Sequence, residues 1–380
     1  MGLTARAGVN HSLFNRVILP GLLLQSIVVG GGYATGRELV EFFLSSGPLG
    51  GLSGMLVATI LFSIASALCF EFARLTRSFN YRSFFGALLG PGWFLYEIAY
   101  AVLGLLVLAV IAAAAGEMIA AHWHWHRLAG IVFLIVPIGL LVFRGSAFIE
   151  KVLAAWSFVL YATYVVLVVL YLHRYGGQLS EIYSAAPAAA GWLGKGVKYF
   201  GYNLAVIPLV LFCVPHMRSR GDAIAAGLLA GPLVMLPAAM FYVAMSASWP
   251  EIAGAAVPAD FMLQRLDLRW LQVVFYIVVF GTFVETGTGF IHALNERIEL
   301  NFVARAAHMP GWLRPALAAG ALACAAILAA RFGIIDLIAK GYGTLTWFIV
   351  AVFAVPLATV GLRAIVRSSG TAAPSGSGTN

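Results

Sequence analysis

The sequence predicts an all-α polytopic membrane protein: ten transmembrane helices in two inverted halves of five, with the first helix of each half interrupted. Three observations lead there. Hydrophobic residues make up 62% of the 380 and charged residues only 10%, against about a quarter charged in a soluble domain. Apolar stretches of the length that crosses ~30 Å of hydrocarbon recur along the chain. Clusters of glycine or proline fall inside two of them, five stretches apart.

The apolar stretches lie near 17–45, 50–76, 92–121, 128–145, 149–172, 197–217, 222–247, 268–298, 313–331 and 333–364. With a cytoplasmic N-terminus, fourteen of the 23 Lys and Arg fall on the cytoplasmic side, among them Arg74, Arg77, Arg82, Arg218 and Arg220. Seven fall outside, and Arg37 and Lys340 lie within spans. That is the bias of the positive-inside rule, so both termini are expected in the cytoplasm. Residues 1–16 read as a cytoplasmic segment, 17–367 as the transmembrane domain, and the Gly/Ser/Pro-rich 368–380 as a disordered tail. The N-terminus is polar and basic, and the apolar run after it lacks a cleavage site, so no removable leader is expected. The net charge of +8 reads as membrane anchoring, with the bilayer rather than nucleic acid as the partner. Cys69, Cys213 and Cys324 read as small buried apolar residues. The longest outer loops, 173–196 and 249–267, leave five spans (17–173) before the first and five (196–366) after it. Five is odd, so related halves must be inverted, which is the build of many secondary transporters.

The interruptions follow from that build. Span 1 carries Gly30-Gly31-Gly32-Tyr33-Ala34-Thr35-Gly36 in its middle; span 6 carries Gly201-Tyr202-Asn203 followed by Pro208 and Pro215. Glycine costs ~1 kcal/mol per helix position and proline ~3. Unpaired backbone groups cost several more in lipid, so such segments persist only where they line a cavity or are buried in protein. There, freed carbonyls can hold a cation and half-helix N-termini can receive an anion. Residues 30–36 with Tyr202 and Asn203 are therefore the candidate substrate site.

"GGGYATGRELVEFF", "GYNLAVIP" and "ETGTGFIHALNERI" resemble the YkvI-like family of bacterial membrane proteins. That family is similar to the amino acid–polyamine–cation superfamily with the leucine-transporter (LeuT) fold. The resemblance covers all ten spans. It implies a LeuT-like 5+5 fold, a bacterial inner membrane location and solute uptake coupled to Na⁺ or H⁺. Arg37 stands where the family pattern has glutamine, and Tyr33 where it has phenylalanine.

Other intramembrane polar groups add to the site. In span 8, Thr282, Glu285, Thr288, His292 and Asn295 recur at steps of three or four, forming one stripe. Glu285 sits near mid-span, where a carboxylate costs ~3 kcal/mol or more. It reads as a ligand for Na⁺ with Thr286 or Thr288 and span-1 carbonyls, or as a proton carrier. In LeuT-fold proteins spans 1 and 8 are neighbours, which suits either role. Arg37 and Asp336 begin facing outer half-helices and are candidates for an extracellular gate, or for a static ion pair. His122, His124 and His126 alternate with Trp123 and Trp125, better as an interfacial aromatic belt than as a metal trap. "VPHM" (214–217) is similar to the Met-Pro-His of Nramp metal transporters, but their span-1 Asp-Pro-Gly is absent. No metal is expected beyond a coupling Na⁺, and no organic cofactor.

No Walker loop, nucleophile elbow or zinc signature lies in a suitable context. No enzyme activity is expected, and any pumping would draw on an ion gradient. The expected function is secondary active transport, by symport, of an amino acid, amine or related zwitterion. The alternative is a substrate-binding sensor or channel-like protein on the same fold.

Overall fold

A computed structural model describes residues 12–144, 146–185, 189–303 and 308–370, and every regular element in them is helical. The expected N-terminal segment as far as residue 11 and the expected tail from residue 371 lie outside the described residues.

The first apolar stretch is three helices, not one: α1 (Leu19–Val28), α2 (Gly31–Ala34) and α3 (Arg37–Phe42). Then come α4 (Pro48–Thr76), α5 (Tyr81–Leu89), α6 (Phe94–Trp123), α7 (Arg127–Arg144) and α8 (Ser146–Tyr175). Short α9 (Leu179–Ala185) lies in the first long loop; α10 (Trp192–Asn203) runs into a 3₁₀ segment, Leu204–His216, that contains Pro208 and Pro215. Proline removes the helical N–H and clashes with the preceding turn, which accounts for the change of winding. α11 (Arg220–Ser246) follows, with α12 (Pro258–Leu266) in the second long loop, α13 (Arg269–Val303) and α14 (Leu313–Asp336). A π-wound turn (Leu337–Tyr342), α15 (Gly343–Ile349) and α16 (Leu362–Gly370) complete the order. The last helix carries regular structure three residues into the stretch read as tail.

Seven helical runs are long and apolar enough to cross a membrane, and Phe14–Val28 and Arg127–Val142 are shorter apolar helices. The chain is a multi-pass membrane protein. The last of the seven runs, Leu313–Ser368, is 56 residues long and turns at Gly333, where φ is 66° and ψ 172°.

Small residues sit at the closest helix contacts and large apolar ones cover the outer face, while rings such as Phe62, Tyr96 and Tyr242 fill the interior. On α4, Leu52, Leu56, Ile60 and Ile64 form an exposed stripe. Its opposite side meets α11 along much of its length. The backbones approach closely because Gly227 and Gly231 carry no side chain; a Cβ on either would collide with Ala67 or with Ser63 and the Thr59 carbonyl. Ser63 Oγ ties the pair by donating to the Leu228 carbonyl at 2.9 Å. Around this pair, α1 packs on α11 and α10 packs on α4.

Candidate functional site

The backbone leaves α1 at Val29 (φ −80°, ψ 64°) and is extended at Gly30 (φ −97°, ψ −167°) before α2 begins. A second departure follows at Gly36, whose φ of 77° suits glycine. A Cβ there would also sit 3.0 Å from the Phe241 ring and 3.1 Å from Met245 Sδ.

Such a break frees backbone groups that need partners, and several are found far away in sequence. Gly31 N–H donates to Thr286 Oγ1 on α13 at 3.1 Å. The Ala34 carbonyl accepts from Tyr164 Oη on α8. The Thr35 carbonyl accepts from Ala259 N–H of α12 at 3.0 Å. Thr35 Oγ1 closes the turn locally, donating to the Gly32 carbonyl at 2.8 Å and accepting from Arg37 N–H at 3.1 Å.

Beside the break lies a cavity of about 50 Å³. Gly30, Gly31, Gly32, Tyr33, Tyr202 and Asn203 line it; Ala34, Thr35 and Gly36 do not, being turned to the partners just named. Thr286, Phe290 and Tyr342 complete much of the wall. Tyr202 and Tyr342 are stacked, with ring centroids 4.6 Å apart and planes 18° apart. Asn203 Nδ2 donates to the Tyr199 carbonyl at 2.9 Å.

Glu38 also lines this cavity, and sequence reasoning missed it as a site residue. It is 6% exposed, and Tyr202 Oη donates to its Oε2 at 2.5 Å. A Cβ on Gly32 would overlap its Oε1, so the missing side chain of Gly32 is what admits the carboxylate. The available signal was depth: Glu38 is followed by Leu39, Val40, Phe42 and Phe43, which sets it inside the apolar stretch and not at its edge.

The three coupling-ion candidates on α13 part company. A helix turns ~100° per residue, so positions 285, 286 and 288 cannot all face one point. Thr286 lines the cavity and touches the span-1 break. Glu285 is half-buried within electrostatic range of Tyr161 on α8, and makes no hydrogen bond or ion pair among the described residues. Thr288 is buried, and its hydroxyl has no partner among the described residues.

The two gate candidates take other partners in this structure. Arg37 is 4% exposed. It pairs with Glu41 at 3.0 Å and donates to the Ala253 and Ala255 carbonyls at 2.9 and 3.0 Å. Asp336 pairs with Lys340 one turn later at 2.9 Å. The elements carrying them are neighbours, but their side chains do not meet. His292, outside the cavity, lies 3.8 Å from Glu296. Among the described residues no cluster of three His, Cys, Asp or Glu side chains forms a metal site.

No family model matches the chain. It is 23% identical over 288 residues to the uncharacterized membrane protein YkvI of Bacillus subtilis (strain 168), covering 72% of this chain and 78% of that one. The fold matches Mhp1 in its inward-facing conformation, with a TM-score of 0.56 and 15% identity over 88% of this chain and 75% of that one. It also matches a Na⁺-coupled sialic acid symporter at TM-score 0.50 and 11% identity, covering 90% and 85% of the two chains. A mutant of the Eremococcus coleocola manganese transporter matches at 0.50 and 12%, covering 91% and 83%. The matched structures whose activity is stated are transporters, not enzymes. The chain thus resembles YkvI in sequence and has the fold of LeuT-like transporters.

Proposed function

We propose that this chain is a secondary active transporter of the bacterial inner membrane. It moves a small polar solute (an amino acid, amine or related zwitterion) by alternating access, coupled to Na⁺ or H⁺. One observation carries the reading: a cavity inside a membrane protein, walled by two interrupted helices and lined by a few polar groups (Glu38, Asn203, Thr286) among apolar ones. Interrupted backbone is costly in lipid and is tolerated where it serves such a cavity.

Ten crossings follow if Phe14–Phe42 counts as one interrupted span and the 56-residue run as two, since one helix of that length would extend ~84 Å. The reciprocal packing of α1 on α11 and α10 on α4 supports two related halves, 17–173 and 196–366. The cavity side of Thr286, beside the C-terminal carbonyls of α1, suits a cation. Glu285 is the second candidate for coupling, as a proton carrier approached from the α8 side. Arg37 holds the outer loop over the site, and its release from Ala253 and Ala255 is the step that opens the outer face.

Reconstituted vesicles test this. Uptake of a solute above its equilibrium level, driven by an imposed Na⁺ or proton gradient and reduced in E285Q or T286V, is expected. Specific binding without flux under any gradient would replace the transporter by a sensor.

A further inference from the structure

Resting on the transporter reading, the cavity itself narrows the substrate class. Glu38 is buried, and among the described residues its one hydrogen-bond donor is the neutral Tyr202 phenol. Arg37, next in sequence, is turned away onto the outer loop, and no other cation lies within 4 Å among the described residues. A buried carboxylate without a counter-charge is costly, and the cost is relieved by a cation that enters the site.

Other parts of the wall fit that cation, and the aliphatic Ile27, Val28, Leu103, Val107 and Val206 suit a short hydrocarbon tail. Asn203, in the same cavity wall as Glu38, spends its amide N–H on the Tyr199 carbonyl, leaving its Oδ1 as an acceptor. An ammonium group has three N–H donors and no acceptor, so it suits acceptors of this kind. The Tyr202 and Tyr342 rings and Phe290 add aromatic surface, which attracts cations through the ring quadrupole. Size sets the limit. At ~10–15 Å³ per water-sized site, the 50 Å³ cavity admits about three to five non-hydrogen atoms.

We propose that Glu38 is the charge-bearing contact for the ammonium group of a small primary amine, seated between the Gly30–Gly32 break and the stacked Tyr202–Tyr342 pair.

Calorimetric titration of the purified protein at constant NaCl tests this with ethylammonium, ethanol and propionate, probes of three to five non-hydrogen atoms that share an ethyl group and differ in charge. Saturable binding of ethylammonium alone is expected. Glu38→Gln keeps the side-chain volume and an oxygen for Tyr202, and should weaken ethylammonium at least tenfold at an unchanged elution profile. Tyr202→Phe keeps the carboxylate and should stay within about threefold of wild type; equal losses in both variants would mean a structural pair and overturn the proposal. Propionate or ethanol binding as tightly as ethylammonium, or no ethylammonium binding at all, also overturns it, and this comparison needs no variant. The transporter reading fails separately: Glu38-dependent binding with no flux in vesicles sinks transport and leaves the site. Gradient-driven flux of an anionic or neutral solute that Glu38→Gln does not affect sinks the site and leaves transport.

Discussion

Replacing Thr286 with valine tests the tie between the span-1 break and α13. Gly31 N–H opens α2 and has no helical acceptor; its acceptor is Thr286 Oγ1 at 3.1 Å. Valine has the same shape without the oxygen, so a buried amide is left unpaired, at a cost of about 1–3 kcal/mol. With an unfolding entropy of about 2.1 cal/mol/K per residue, the 380 residues correspond to roughly 0.8 kcal/mol/K. T286V should then unfold about 1–4 °C below wild type, read by loss of the monodisperse peak after heating. T286S retains the hydroxyl and should unfold within a degree or so of wild type. If T286V matches T286S, the bond does not hold the break, and the reasoning that joins spans 1 and 8 through it is refuted.

Three other perturbations have defined outcomes. Arg37→Met removes two charge-assisted bonds to the loop carbonyls of Ala253 and Ala255. Amides of 251–266 should then exchange hydrogen at least about tenfold faster, and unchanged exchange would remove Arg37 as the latch. Arg297 is 7% exposed, 2.8 Å from Glu97 and sandwiched between the Tyr81 and Tyr100 rings at 3.9 and 3.8 Å. Arg297→Met should cost about 3 kcal/mol by stranding Glu97, with much of the loss recovered when Glu97→Met is added; equal stability of Arg297→Met and the double variant would show that Glu97 is not stranded. On the outer helix α12, burial pushes the Asp260 carboxyl above its ordinary value, against the bonds it accepts from Tyr276 and Gln264. Its neutral form therefore favours the docked helix: that contribution is full below about pH 4 and is lost as pH rises through the higher folded value. Exchange protection of 258–266, corrected for intrinsic rates, should fall from about pH 4 toward neutrality, and D260N should flatten the profile.

Much of the fold was legible because its causes are local. Apolar length marks a crossing, and three consecutive glycines or two prolines in a 3₁₀ stretch mark where regular winding fails. Gly-Tyr-Asn at 201–203 was found for that reason, and Tyr202 and Asn203 line the cavity with Gly30–Gly32. Glu38 was not found, because its role depends on a turn in the path. The left-handed residue Gly36 re-aims α3, so that of two adjacent charges Arg37 goes to the outer loop and Glu38 returns toward Gly32. The partners of Arg37 were hidden for a related reason: they are backbone carbonyls of Ala253 and Ala255, which no side-chain pattern announces. On α13, the stripe of Thr282, Glu285 and Thr288 was visible from spacing. Which face of that helix meets span 1 was not, and it is the face of Thr286.

The most direct measurement is gradient-driven uptake of radiolabelled ethylamine into proteoliposomes containing only this protein, with Na⁺ and proton gradients imposed in turn. Accumulation that collapses when the driving gradient is removed, and that Glu38→Gln abolishes while the variant stays folded, is the expected result. Saturable, Glu38-dependent binding with no accumulation under either gradient would contradict alternating-access transport by this chain.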